Sequence, residues 1–399
     1  MAGRIAVLLA LPTLAASYCI PGHACWPSNS EWQALGESLS QPNLLWSLSV
    51  SSYGTCLAVS STDPFQLVRT AHGACMVDPN CRWEGCSPDL GVYALPAYSV
   101  EVRTQSDIQT TIRFANTHNI SVSIKATGHS YSGSSTMRGS LLIWMKHYTT
   151  YGTIGAHTDS CGTTTQHVLK IGGGQNWGDA YAAVHAYGGR EIVGGGTMTV
   201  SAAGGWLMGG GLSMLSRDLG LGIDNVLGFD VVLANTGAVR ADACSQPHLY
   251  WALRGGGGGS FAVVTAAYHR THALTPVIVE VIMHIELFGT LGCGNRIECL
   301  YNPALRGIYR SFISFWVDWS PHLDQRWGGH WSLSGFHLYF RGSRADADAT
   351  FLNHAQGLWA WRCGGGAQPN QTTPSALRLA CSGLCVRQGR AGYNQPHPR

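Results

Sequence analysis

The sequence predicts an α+β fold, and three observations support that class. Strand-like and helix-like segments alternate from Tyr98 onward for about 180 residues, which is the size of one domain. Glycine accounts for 51 of the 399 residues and is concentrated in runs. Hydrophobic residues make up 45% of the chain and charged residues only 12%, which is typical of a globular protein and not of a disordered one.

Residues 1–17 are predicted to be a secretory signal peptide. Arg4 precedes an apolar run over residues 5–14, and the small residues Ala15, Ala16 and Ser17 follow it. The alternative interpretation is a buried N-terminal strand. The run is too short to span a bilayer, and no later segment has about 20 uninterrupted apolar residues. We therefore expect a secreted protein with no membrane anchor.

Residues 18–91 form a cysteine-rich segment. The chain has 13 cysteines, a number that fits an oxidising compartment. Zinc is the alternative, but no Cys-x-x-Cys pair is matched by a second pair at zinc-finger spacing. Disulfides are therefore favoured, with their connectivity open and at least one thiol unpaired or paired outside the chain. Asn119 and Asn370 begin Asn-x-Ser/Thr sequences and are candidate glycan acceptors.

Residues 92–272 have the most regular pattern. "YSVEV" alternates like a strand, and "SDIQTTIRFANTHN" predicts a helix that opens with a Ser106/Gln109 capping box. Ile108, Ile112 and Ala115 would share the buried face of that helix. The remaining predicted elements follow in order: a strand in "SVSIKATG", strands in "SLLIWM" and "HVLKIGGG", a helix in "WGDAYAAVHAYGG" stopped by Gly188, and a strand pair in "VLGFDVVLANTGAVR" with its turn at residues 235–237.

Three segments in this region are rich in bare backbone. "IKATGHSYSGSS" places a small turn after a strand, where successive N–H groups can bind a pyrophosphate. "GGGTMTVSAAGGWLMGGG" is the second segment, and it has no acidic residue at the spacing of an NAD site. The third is the five-glycine run 255–259, whose apolar flanks disfavour a flexible linker. Together they favour a long, flat, phosphate-containing ligand. The net charge of +3 shows no basic stripe, so nucleic acid is a poor partner.

These motifs, in this order, resemble the FAD-binding domain of the vanillyl-alcohol-oxidase superfamily, the p-cresol-methylhydroxylase (PCMH) type. The similarity is greatest to the berberine-bridge-enzyme-like branch and its secreted fungal members. It is carried by "KATGHSYSGSS", "GSLLIW", residues 194–239, "LYWALRGGGGGSFAVVT" and the opening "CIPGHACWPSNSEWQAL". The resemblance implies a two-subdomain PCMH-type FAD-binding domain over residues 92–272. An antiparallel-sheet substrate domain would follow over residues 273–358.

The resemblance also assigns cofactor residues. His129 stands where the family carries a histidine bonded covalently to a methyl carbon of the flavin; the alternative is a histidine that only caps the turn. Thr197 stands where many members add a cysteine as a second tether, so we expect covalent FAD through His129 only. The other residues expected to bind FAD are Lys125, Ala126, Thr127, Gly128, Ser130, Tyr131, Gly195, Gly196, Thr199, Val200, Gly204, Gly209, Gly210, Gly211, Gly256, Gly257 and Val263.

The substrate side is less defined. Candidate strands are "PVIVEVIMHIEL" and "HWSLSGFHLYF", and "ADADATFLNHAQGL" is a candidate helix. Glu280, Glu286, Tyr301 and Tyr339 could each serve as the catalytic base, but a core or surface role suits each better, so the catalytic residues stay unknown. Residues 359–399 have poor periodicity and lack the family's closing segment, and we expect an irregular tail and an incomplete domain.

The expected function is that of a secreted FAD-dependent oxidoreductase with no metal. As an oxidase it would take a hydride from a C–H bond of an alcohol, sugar or secondary metabolite and pass electrons to dioxygen. A dehydrogenase with another acceptor stays open. The main alternative is an inactive flavin-fold binding protein or pseudoenzyme. A disulfide-rich carbohydrate-binding module would explain the cysteines and tryptophans but not the ordered glycine motifs.

Overall fold

The computed structural model describes residues 18–48, 96–130, 134–149, 152–275, 277–284, 314, 316–318, 320–332, 335–352 and 385–390. The chain divides into two compact units, Met1–Tyr148 with Val231–Val239, and Thr149–Asp230 with Arg240–Arg399. The predicted signal peptide, Glu286, Tyr301, Tyr131 and Asn370 lie outside the described residues.

The first unit contains a four-stranded sheet and two helices. Its strands are β1 Leu45–Ser47, β2 Tyr98–Glu101, β3 Val122–Lys125 and β4 Leu141–Trp144, and its helices are α1 Asn29–Glu37 and α2 Gln105–Thr117. The sheet order is β1-β2-β4-β3, in which β2, β4 and β3 are parallel and β1 is antiparallel to β2. Trp32 of α1 stacks on Tyr98 with ring centroids 3.8 Å apart. This contact joins the N-terminal helix to the sheet.

Helix α2 begins two residues earlier than predicted. The capping box consists of Thr104 and Asp107, not Ser106 and Gln109: the Asp107 N–H donates to the Thr104 hydroxyl, and Asp107 accepts from the Thr104 N–H at 2.8 Å. Asp107 also accepts from the backbone and hydroxyl of Ser40, which explains why the acidic residue is preferred at this position. The three apolar residues predicted to share a face of this helix are buried, as expected.

The second unit is built on a five-stranded sheet. Its elements up to residue 273 are β5 Thr153–Thr158, β6 Thr164–Gly172, α3 Trp177–Tyr187, β7 Arg190–Glu191, α4 Gly205–Met208, α5 Ser216–Leu219, β8 Val226–Val232, β9 Ala238–Asp242, α6 Pro247–Leu253, β10 Val263–Arg270 and β11 His272–Ala273. The sheet order is β5-β6-β10-β8-β9, and β7 pairs with β11. Gly188, with φ +79°, ends α3 as predicted.

A four-stranded antiparallel sheet follows in the second unit. Its strands are β12 Val277–His284, β13 Trp327–Ser332, β14 Gly335–Arg341 and β15 Cys385–Arg390, in the order β13-β14-β12-β15. Helix α7, Arg344–Ala347, continues into a π-helix over Asp348–Leu352. Strand β15 differs from the prediction of an irregular tail. An edge strand needs only backbone pairing with its neighbour, so its sequence need not show periodicity.

Two disulfides lie among the described residues, Cys19–Cys25 and Cys161–Cys244. The second joins the turn between β5 and β6 to the segment that follows β9, across 83 residues of chain. No helix in the described part of the chain is long and apolar enough to cross a membrane.

Candidate functional site

The carboxyl edge of the parallel strands positions the first part of the site. Glu101, Trp144 and Lys125 are the last residues of three neighbouring strands and lie in register. Strand β3 runs from this edge into the turn 126–130, where Gly128 has φ +85°. Ligands of sheets with parallel strands bind outside their carboxyl ends. The turn predicted to bind a pyrophosphate therefore lies where sheets of this kind bind their ligands.

Burial lowers the pKa values of His129 in this turn and of Lys125 just before it. His129 is half-buried, and burial lowers its pKa to about 4, so the imidazole is neutral at pH 7. Lys125 is fully buried with its ammonium 5.9 Å from the Trp144 ring centre. Burial, with a smaller effect of the nearby Lys146 charge, lowers the pKa of Lys125 to about 7. The Lys125 side chain thus belongs to the interior of the first unit.

The other residues of the turn that were predicted to bind FAD differ in their exposure to solvent. Thr127 and Gly128 are buried, while Ala126 and Ser130 are half-buried. The Ser130 hydroxyl accepts a hydrogen bond from the Ser134 N–H at 3.1 Å.

In the second unit, the glycine-rich segment 194–211 and the five-glycine run come together. The Gly257 N–H donates to the Met208 carbonyl at 3.0 Å, which attaches the run 255–259 to helix α4. A Cβ added at Gly258 would lie 2.7 Å from the Cα of Gly205. Backbone here packs directly on backbone, with no room for a side chain. This contact is one reason for the bare backbone in the middle of a folded domain.

Aromatic side chains lie beneath the segment 194–200. Trp177 is fully buried and makes an edge-to-face contact with Trp206, with ring centroids 4.8 Å apart. The Tyr181 hydroxyl donates to the Gly195 carbonyl at 2.8 Å, and the backbone N–H of Trp177 donates to the Val200 carbonyl at 2.9 Å. Sequence reasoning missed these aromatics. The signal was present in part, since Trp206 lies within the segment 194–211 and Trp177 follows the glycines at 172–174.

The residues of the second unit that were predicted to bind FAD differ in their exposure to solvent. Those exposed or half-buried are Gly196, Thr197, Val200, Gly209, Gly210, Gly256 and Gly257. Those buried are Gly195, Thr199, Gly204, Gly211 and Val263. A Cβ at Gly196 or Gly210 would meet no atom within 4 Å. The result is a surface rich in exposed backbone, which fits a flat dinucleotide such as FAD.

The antiparallel sheet brings further polar residues into the second unit. Tyr339 of β14 is half-buried beside His337, with ring centroids 4.6 Å apart, and Glu280 of β12 occupies the register position opposite Tyr339. Arg341 of β14 forms ion pairs with Glu191 and Asp218. Among the described residues, no group of three or more His, Cys, Asp or Glu side chains is arranged to hold a metal ion.

Comparisons with known proteins agree with this geometry. Residues 96–242 match the FAD-binding domain family. The FAD-linked oxidoreductase sor8 of Hypocrea jecorina is 34% identical over 271 residues, which cover 64% of this chain and 46% of that protein. The crystal structure of the VAO-type flavoprotein MtVAO615 from Myceliophthora thermophila superposes with a TM-score of 0.69 at 26% identity, covering 86% of this chain and 64% of that one. A structure of glucooligosaccharide oxidase from Acremonium strictum, named for its 6-S-cysteinyl, 8α-N1-histidyl FAD, shares the fold at 21% identity and a TM-score of 0.52, covering 76% of this chain and 58% of that one.

The fold and the matched domain define a flavoprotein architecture with a mixed α and β structure, as predicted. In sequence and in fold, the chain is similar to the FAD-linked oxidoreductases of the vanillyl-alcohol-oxidase superfamily. It spans about half the length of the relatives that it matches in sequence.

Proposed function

We propose that this chain is a secreted FAD-dependent oxidoreductase that oxidises a small hydroxyl-bearing molecule and uses dioxygen as electron acceptor. The observation that carries the proposal is the open backbone surface formed where residues 194–211 meet residues 255–259. It supports a large planar ligand, and the match of residues 96–242 to FAD-binding domains supports FAD as that ligand. Bound FAD would supply an acceptor for a hydride and its two electrons.

His129 is the residue that we propose to tether the cofactor. Burial keeps its imidazole neutral at pH 7, and a neutral imidazole nitrogen is the kind of nucleophile that a bond to the flavin methyl carbon requires. Thr197 is exposed and carries a hydroxyl in place of a thiolate, so it cannot form the second bond that a cysteine makes. We therefore expect a single covalent link, in contrast to the cysteinyl and histidyl links of the glucooligosaccharide oxidase.

Secretion is part of the proposal. Two disulfides among the described residues support folding in an oxidising compartment. N-terminal sequencing of the protein from the culture medium should begin near Tyr18. Retention of the intact N-terminus inside cells would contradict secretion without affecting the flavin assignment.

The absorbance spectrum of the purified full chain tests the cofactor. A yellow protein whose colour stays in the pellet after acid precipitation, with the mass of FAD on the peptide that contains His129, supports the proposal. His129→Ala should release FAD or fail to bind it, while the matched control His23→Ala, an exposed histidine of the same unit, should keep the tether. Complete release of FAD from the wild-type protein by acid would refute the covalent link.

Reduction and reoxidation test the reaction. The bound flavin should bleach when the protein is mixed anaerobically with its alcohol or sugar substrate and recover in air with formation of hydrogen peroxide. Recovery only with an artificial acceptor would assign a dehydrogenase. A folded, colourless protein would favour the alternative of an inactive flavin-fold binding protein.

A further inference from the structure

The turn after helix α2 carries a motif that the oxidation chemistry does not use. Asn119, Ile120 and Ser121 form one of the two Asn-x-Ser/Thr sequences of the chain, and the other, at Asn370, lies outside the described residues. Such a sequence, with a residue other than proline in the middle, is the acceptor for an N-linked glycan in secreted proteins. A bulky glycan also needs room in the folded protein, which the structure of the turn determines.

The turn exposes only the asparagine of the motif. Asn119 is exposed, while Ile120 and Ser121 have 4% and 8% of their surface accessible. The Asn119 N–H donates to the Asn116 carbonyl at 3.3 Å, and the Asn119 carbonyl accepts from the Cys19 N–H at 2.8 Å. These bonds fix the backbone on both sides of the exposed residue. A group attached to Asn119 therefore has access to solvent while the rest of the motif stays packed.

Backbone conformation explains the asparagine but not the serine two residues later. Asn119 has φ +50°, in the left-handed region that asparagine adopts more readily than most residues. Asn43 is also exposed with φ +64°, but Leu44 and Leu45 follow it and no acceptor motif results. The Ser121 hydroxyl forms no hydrogen bond among the described residues. The fold thus gives no reason for a hydroxyl at this position, whereas the glycan acceptor sequence requires one.

The motif lies at the opposite edge of the sheet from the proposed cofactor tether. Ser121 immediately precedes β3, and the turn that contains His129 follows the same strand. The four residues of β3 span about 13 Å. A glycan on Asn119 would therefore extend from the amino edge of the parallel strands. The carboxyl edge, where sheets of this kind bind their ligands, would stay open.

We propose that Asn119 carries an N-linked glycan in the secreted protein. The inference rests on the secretion that is part of the proposed function, because this transfer takes place in the secretory pathway. The side-chain nitrogen of Asn119 forms a bond to C1 of the first N-acetylglucosamine. The bond from that carbon to the diphosphate of a lipid-linked oligosaccharide breaks. The amide loses one proton and the lipid diphosphate leaves with the bonding electrons, so nothing is oxidised or reduced.

The first test is a peptide mass measurement on the full-length protein secreted by a eukaryotic host. Peptide N-glycosidase removes the glycan and leaves aspartate in place of the modified asparagine, so the peptide with Asn119 should show this conversion only after treatment. Ser121→Ala should abolish the conversion, and Ser121→Thr should retain it because threonine also completes the motif. Reading the peptide separates Asn119 from Asn370, which a shift on a gel would not.

The second test compares Asn119→Gln with the matched control Asn43→Gln. Both variants remove an exposed asparagine with positive φ from the first unit, so both place glutamine in the same unfavourable backbone region. Only Asn119→Gln should increase electrophoretic mobility, by the loss of one glycan. Its flavin content should equal that of the wild type, because the cofactor site lies at the other edge of the sheet.

Two results would overturn the proposal: an unmodified Asn119 in the secreted protein, or a conversion that persists in Ser121→Ala. A chain retained inside cells with an intact N-terminus would instead refute the proposed secretion. In that case a foreign signal peptide placed before Tyr18 directs the chain into the secretory pathway, and the same peptide is measured. An unmodified Asn119 in that protein would again overturn the glycan site.

Discussion

His269 makes the stability of this protein sensitive to acid. It lies in strand β10 without solvent exposure, and its Nδ1 atom is 3.0 Å from the Arg270 carbonyl oxygen. Its Nε2 atom is buried and has no hydrogen-bond partner among the described residues. Burial, aided by the neighbouring His272 and opposed by the bond to Arg270, lowers the pKa of His269 to about 4. A second proton on this ring would therefore be buried without compensation.

The sign and size of the effect follow from linkage. The folded pKa lies below the unfolded value of 6.5, so the unfolded chain binds more protons between the two values and stability falls as pH falls. Between pH 7 and pH 5 the loss from His269 alone is about 2 kcal/mol, and it approaches ~3 kcal/mol near pH 4. Other histidines with lowered pKa values, including His157 and His272, add to the same trend.

The variant His269→Gln isolates this contribution. Glutamine does not titrate, and its amide can still donate to the Arg270 carbonyl. Urea unfolding followed by tryptophan fluorescence at pH 7 and pH 5 should show a pH-dependent loss that is smaller by about 2 kcal/mol than in the wild type. His185→Gln, at an exposed site, should behave like the wild type. If His269→Gln and the wild type lose the same stability on acidification, then His269 is not the buried neutral group described above.

Three further perturbations test other parts of the structure. Gly258→Ala should lower the melting temperature and reduce flavin content together, because the new Cβ would lie 2.7 Å from the Cα of Gly205; an unchanged melting temperature would contradict that packing. Cys161→Ser opens the link to Cys244 across 83 residues, and the loss of chain constraint should cost about 4 kcal/mol, measured by denaturant unfolding under non-reducing conditions. Deletion of residues 385–399 removes the edge strand of the antiparallel sheet and should lower the melting temperature; a chain that melts unchanged would show that the tail is dispensable.

The elements predicted best were those in which the spacing of apolar residues indicates the buried face. The helix from Gln105 and the strand pair around residues 235–237 appear where apolar spacing and turn residues indicate them. The capping box was misplaced although Thr104-x-x-Asp107 also fits the local capping pattern. What favours it over Ser106 and Gln109 is the contact of Asp107 with Ser40, 67 residues away, which the local sequence does not show. Strand β15 was missed because an edge strand can form through backbone hydrogen bonds with one neighbour, without an alternating pattern of apolar residues.

The sequence predicted the glycine surface of the candidate site but not the side chains that pack beneath it. Glycine runs reveal where bare backbone is needed, and they identified the surface 194–211 and the run 255–259. They do not reveal what lies beneath, so the buried Trp177 was missed.

Some glycines allow backbone to pack on backbone, and others leave space that a ligand could occupy. The variant Gly196→Ala tests the second role separately from the first. At Gly258 a side chain would collide with protein backbone, so loss of flavin there could follow from loss of structure. At Gly196 an added Cβ meets no protein atom within 4 Å, and the residue is exposed. Gly196→Ala should therefore keep the melting temperature of the flavin-free protein while weakening FAD binding, because the added methyl group would project into the open space proposed for FAD. Flavin content, read from the ratio of flavin to protein absorbance, and thermal unfolding measure the two effects separately. Undiminished flavin in Gly196→Ala would show that the cofactor does not lie against this part of the glycine surface.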